Sequence, residues 1–199
     1  MRAMRILMCV LFCVVAGGCV RSIQPVLTSE QLVVDKSIVG SWTPSDDKGL
    51  VEVQKPGQDK NYKVLYTDQD GKKGTFLIRL GKIQDMLIAE VRPDDPAPAA
   101  IDVYKAHLLP LYSFLVIHQT TPEIRFSVMK AEWLEKYLKD HPDELRISPA
   151  GEGSKPGWVI TSSTSDIQAF LLRHRNDSEA FGEEGHLVRK GPTTAPATK

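Results

Sequence analysis

Short apolar stretches follow one another at roughly ten-residue spacing from Ile38 to Val91, with turn-forming residues and no helical period between them. Ile38-Val39-Gly40-Ser41-Trp42 opens the series and Leu50-Val51-Glu52-Val53-Gln54 follows. From Tyr62 to Thr67, the residues Tyr62, Val64 and Tyr66 alternate with Lys63, Leu65 and Thr67, which gives a strand two different faces. Asp68-Gln69-Asp70-Gly71 supplies a turn, because Asp accepts bonds from its own turn and Gly tolerates positive φ. Thr75 to Leu80 is the next strand, with Gly81-Lys82 read as a tight connection into Ile83 to Val91. Parallel neighbours need a crossover of roughly a dozen residues or more, so connections this short predict antiparallel pairing.

Arg92-Pro93-Asp94-Asp95-Pro96-Ala97-Pro98 interrupts the series as a projecting loop, since proline cannot donate to a ladder. Strands are expected again at Ile101 to Leu109, Leu111 to Gln119 and Glu123 to Met129, the last two joined as a hairpin through Thr120-Thr121-Pro122. Two helices come late. Lys130 to Lys139 places Trp133, Leu134, Tyr137 and Leu138 on one stripe and ends near His141-Pro142. Ser165-x-x-Gln168 reads as the capping box of a second helix, with Ile167, Phe170, Leu171 and His174 on one side. Trp158 to Ser162 is a strand between them, and Leu187-Val188-Arg189 a last short one. The expected fold class is mainly β (α+β): an antiparallel meander or barrel with two late helices over one face or an open end.

The N-terminus carries a different message. Arg2 and Arg5 precede an apolar run from Ile6 to Val15, and small residues then lead into Cys19. This is the order of a secretory signal, and the run is shorter than the roughly 20 residues a membrane-crossing helix needs. Ala16-Gly17-Gly18-Cys19 resembles the lipobox of a bacterial lipoprotein, with Ala16 where leucine is commoner. The resemblance implies lipidation of Cys19, which would become the new N-terminus. Stable attachment takes more than one acyl chain, and lipoprotein maturation supplies them. Val20, rather than Asp, follows the cysteine, which favours an outer membrane if the cell has one. The expected organisation is a signal peptide at 1–18, a lipidated N-terminus and tether at 19–36, a β-rich domain at 37–190 and a disordered tail at 191–199.

Cys9, Cys13 and Cys19 are the only cysteines, so the mature body has no thiol except the one expected to be acylated. Such a domain is stabilised by its own core rather than by disulfides. Removing Arg2 and Arg5 from 25 basic residues leaves 23 against 25 acidic ones, a balance that gives no reason to expect nucleic acid.

Few motifs carry chemistry. Gly40-Ser41-Trp42 at the start of a meander is similar to the lipocalin and wider calycin signature. The resemblance implies a barrel in which Trp42 closes one end beneath a late arginine, Arg125 or Arg189, with Gly40 and Trp42 as structural residues. An eight-stranded barrel either fills with side chains or holds one small ligand, so ligand-binding residues stay open at this point. The wider pattern also includes Gly81 to Leu87, His107, Trp133-Leu134 and Thr164 to Leu171. In this it resembles a group of bacterial lipoproteins that carries no assigned activity.

His107, His118, His141, His174 and His186 show no H-x-H, H-x-x-x-H or HExxH spacing, so no metal site and no cofactor are expected. Asp68-x-Asp70-Gly71 fails as a calcium loop, because Lys72 and Arg79 occupy ligand positions. Acid pairs Asp46-Asp47 and Asp94-Asp95 sit in turn-like segments with nothing to split their pKa values. No nucleophile motif or P-loop occurs. Asp85 and His107 form the one polar pair that an enzymatic alternative, a hydrolase, would use. The expected function is therefore non-enzymatic: a lipid-anchored binding or envelope-interaction protein of the cell envelope. Its partners would be the membrane, through the anchor, and an envelope protein or a small apolar ligand. In the ligand form, inward residues of Tyr62–Thr67 and Thr75–Leu80 line the cavity. In the interaction form, the loop from Pro93 to Pro98 joins the contact.

Overall fold

The computed structural model describes residues 20–45, 48–94, 108–150, 157–182 and 185–191. The strands, in chain order, are β1 (Arg21–Ser22), β2 (Leu32–Val33), β3 (Gly40–Pro44), β4 (Leu50–Val53), β5 (Tyr62–Thr67), β6 (Lys73–Ile83), β7 (Met86–Pro93), β8 (Tyr112–Gln119), β9 (Ile124–Ser127), β10 (Ile147–Ala150), β11 (Gly157–Ile160) and β12 (Gly185–Arg189). The helices are α1 (Ala131–Asp140) and α2 (Thr164–His174).

Strands β8-β7-β6-β5-β4-β3-β12-β9 run round in that order, all antiparallel, and β9 pairs back to β8. The result is a closed eight-stranded antiparallel barrel, and closure leaves it no exposed edge. Alternation sends one face of every strand inward. Trp42, Val53, Tyr62, Val64, Leu80, Ala89, Ile117 and Ile124 form the barrel core, with Phe126 and Leu187 packed against it.

A second core lies outside the barrel wall. The outer faces of β7 and β8 present Ile88, Phe114 and Val116, and α1 and α2 cover them with Leu134, Leu138, Ile167, Phe170 and Leu171. The two helices therefore cover one wall, as one of the two expected arrangements has it. Each helix is short, and its stability comes from this apolar stripe rather than from propensity. A small annex extends from the same wall, where β1 pairs with β8 and β11, and β10 flanks β11.

Three local expectations need correction. Gly81 and Lys82 lie inside β6, and the two-residue turn falls at Gln84-Asp85, where Gln84 takes a φ of +56°. Gly81 answers a different need. A Cβ there would come within 2.7 Å of the Leu27 δ-carbons, so glycine lets another segment cross the strand. The cap of α2 is Ser163, whose Oγ accepts from the Asp166 N–H at 3.2 Å. Ser165 does not serve that role, and Gln168 reaches instead to the Val26 carbonyl at 2.7 Å.

The third correction concerns residues 20–36, expected as a tether. Val20, Ser22, Val26 and Leu27 are buried, and β1 and β2 pair with β8 and β6. Thr164 Oγ1 donates to the Pro25 carbonyl at 2.7 Å, which ties the same segment to α2. The segment is part of the folded domain because its scattered apolar residues complete the outer core. Between its two strands it makes one short 3-10 turn at Ser29–Gln31. The signal segment and Cys19, His107, most of the expected strand 101–109 and residues 192–199 lie outside the described residues.

Candidate functional site

The barrel has two unlike ends. At one, Asp35 caps a 3-10 turn (Lys36–Ile38) by accepting from the Ser37 N–H at 2.8 Å, and the turn leads into Gly40. Gly40 adopts a φ of +134°, a region unfavourable to any residue with a Cβ. That conformation brings Trp42 wholly inside, where its Nε1–H donates to the Ile38 carbonyl at 2.7 Å. Arg189 of β12 lies over the Trp42 ring at 4.3 Å. Its Nη1 and Nη2 donate to the Val39 and Ser37 carbonyls at 3.1 and 2.6 Å. A Cβ on Gly40 would stand 2.6 Å from Arg189 Nη1, so the glycine also makes room for the guanidinium. Of the two arginines the signature left open, the register Arg189↔Trp42 puts Arg189 in the role.

Tyr62 completes this end. Its hydroxyl donates to the Asp35 carbonyl at 3.1 Å and accepts from the Asp35 N–H at 2.8 Å. Burial pushes the phenol pKa above its usual value, so the hydroxyl stays protonated. For Asp35, burial alone would raise the carboxyl pKa, but bonds from Ser37 and Thr120 outweigh it and hold it low.

At the opposite end the inward side chains are less covered. Along β5, Tyr62 and Val64 are buried and Tyr66 is half-buried. Along β6, Leu80 is buried, Ile78 stands opposite Tyr62, and Phe76, farther toward this end, is half-buried; along β8 Ile117 gives way to a half-buried Leu115. The end away from Trp42 is thus an apolar, partly aromatic rim. The expected lining residues of β5 and β6 are among those that face it.

The other sequence candidates separate. Asp85 is on the β6–β7 turn with its side chain 75 % exposed, paired to Arg175 at 2.9 Å. His107, its supposed partner, lies outside the described residues. His118 Nε2 pairs with Ser127 Oγ at 2.9 Å, and His186 approaches Glu123 at 3.5 Å. His174 is packed among Trp133, Tyr137 and Phe170 at ring distances of 5.1, 4.7 and 4.5 Å. Its Nε2 is buried without a partner, and desolvation pushes its pKa below the usual value. Asp68 Oδ1 accepts from the N–H of Asp70 and Lys72 at 2.9 and 2.8 Å, so that loop is a self-bonded turn. Among the described residues no three His, Cys, Asp or Glu side chains converge as metal ligands.

Sequence reasoning missed the one carboxylate that is buried among the described residues. Glu90 of β7 faces outward into the second core with its side chain 1 % exposed. Arg79, its cross-strand neighbour on β6, donates through Nε at 2.8 Å and also through Nη2. Its other oxygen accepts from the backbone N–H of Val26 and Leu27 at 2.5 and 3.0 Å. Every polar partner belongs to the fold, so Glu90 is a clasp for the N-terminal segment rather than a catalytic acid. The signal was available in the hairpin register: a turn centred on Gln84-Asp85 sets Arg79 opposite Glu90.

No known protein family, curated protein or solved structure matches this chain. What the chain shows by itself is a closed barrel of eight antiparallel strands, a Gly-x-Trp entry and an arginine over the tryptophan. Two clefts of about 370 and 360 Å³ lie outside the barrel, both between α1 and the β10–β11 hairpin.

Proposed function

We propose that this chain is an exported, lipid-anchored binding protein of the cell envelope that works without catalysis, and that its barrel receives a small apolar ligand. The observation that carries the reading is the contrast between the barrel's ends. One is sealed by Trp42, Arg189 and the 3-10 turn, while the other leaves Tyr66, Phe76 and Leu115 half-buried. Inward apolar surface that stays partly open is what a barrel-mouth site requires. Acylation of Cys19 would hold the protein at the leaflet, and Val20 after it favours the outer membrane. Absence of catalysis is supported by Asp85, whose ion pair with Arg175 on an exposed turn gives it no concave surroundings.

The test is binding of a fluorescent fatty-acid analogue to the purified protein. Wild type is expected to bind it, and Leu115→Trp, which places bulk toward the mouth, to lose at least tenfold in affinity. An intact fold that binds no apolar probe in either form contradicts the ligand reading.

A further inference from the structure

The anchor reading has a geometric consequence at Val20. Val20 is 4 % exposed and β1 begins at the next residue, so no slack chain separates Cys19 from the folded domain. Consecutive Cα atoms are about 3.8 Å apart, which leaves an acylated Cys19 within one residue of the core. The parallel pair Ser22↔Ile160, taken two residues back on each strand, sets Val20 beside Trp158. Both pack into the outer core with Leu138.

The same sheet face continues across β11 to β10. Pro149 lies opposite Trp158, and Ile147 opposite Ile160. Helix α1 covers Ile160 and Val20 but leaves the outer part of this face open, as the cleft of about 370 Å³ lined by Leu138, Ile147, Pro149 and Trp158. Ile147 is 37 % exposed, and Glu135 and Lys139 lie at the cleft's helix side. A tryptophan beside aliphatic residues with charges at the border is the composition that suits a membrane–water interface. Pro149 on this outermost strand lacks an N–H to offer, which disfavours an added protein strand as the occupant.

We propose that this cleft is the domain's membrane-contact face, seated against the lipid of the leaflet that holds Cys19. The proposal rests on the anchor reading, because the acyl attachment beside Val20 is what brings the leaflet to Trp158. The domain is then held in one orientation, with β10, β11 and α1 toward the lipid. The opposite barrel wall, β4, faces away, since β4 is four strands from β8 in the eight-stranded ring.

The mature chain offers a clean experiment, since its sole native thiol is the acylated one. Ile147→Cys and, as a control on the far wall, Glu52→Cys are each spin-labelled in the lipidated full-length protein. Both are reconstituted in phosphatidylethanolamine–phosphatidylglycerol vesicles, after intact mass has established the state of Cys19. The label at 147 is expected to collide several-fold more with oxygen than with a water-soluble nickel chelate, and the label at 52 to show the aqueous ratio. Acylated protein with both labels aqueous overturns the contact face and leaves the anchor standing. A label at 147 shielded from both reagents overturns it too, because the cleft is then filled by the chain's own acyl group or by a protein. A mature mass without acyl groups overturns the anchor and this proposal together.

Discussion

Trp42 shows how much one residue can organise here. It fills the barrel's closed end, donates to Ile38 and carries Arg189 on its face, so its loss removes packing and orphans two partners. Trp42→Ala is expected to cost about 3–5 kcal/mol in urea unfolding, the range for a large buried aromatic. Arg189→Ala should cost only about 1–2 kcal/mol, since that exposed cation contributes one cation–π contact and two bonds to carbonyls. His174 makes the second residue-scale prediction. Its folded pKa is below the ordinary value of 6.5 through desolvation; Asp177 pulls it up, and Arg173 and His141 push it down. The unfolded chain therefore takes up a proton more readily. Stability from this group is full above about pH 6.5 and falls as pH drops through the folded value. The melting temperature should decline from pH 7 to pH 5, and His174→Phe should flatten that decline. An unchanged slope in the variant would remove His174 from the account.

Elements were legible in the sequence wherever they were long enough to show a period. The alternation of Tyr62, Val64 and Tyr66, and the stripe of Trp133, Leu134, Tyr137 and Leu138, are each a full face of one strand or one helix. β1 and β2 have two residues each, too few for any period, and their pairing with β8 and β6 depends on partners distant in sequence. The misplaced turn at Gly81-Lys82 had a wider effect, because it hid the Arg79–Glu90 register and with it the anchoring of residues 26–27. Gly81 and Glu90 serve the same crossing segment, one by clearance and one by hydrogen bonds. Glu90→Ala leaves Arg79 and two N–H groups without their acceptor and should cost about 3–5 kcal/mol. Gly81→Ala should cost about 1–3 kcal/mol by overpacking against Leu27. Both should raise amide exchange first in residues 21–33, and exchange that rises evenly across the barrel would contradict the clasp.

The whole molecule joins a closed barrel to an outer layer built from the N-terminal segment and two helices. The closed end was foreshadowed by three residues, Gly40-Ser41-Trp42, but the choice between Arg125 and Arg189 needed the register of β12 against β3. The open end could not be read from sequence at all. Which inward side chains stay uncovered depends on barrel closure and tilt, which local pattern does not encode. The central claim is that this barrel is lipid-anchored and holds an apolar molecule, and native mass spectrometry of the detergent-extracted protein tests both halves at once. The account predicts a chain that starts at Cys19 with acyl mass and carries a co-purified apolar molecule that Leu115→Trp loses. An unmodified, ligand-free chain would contradict it.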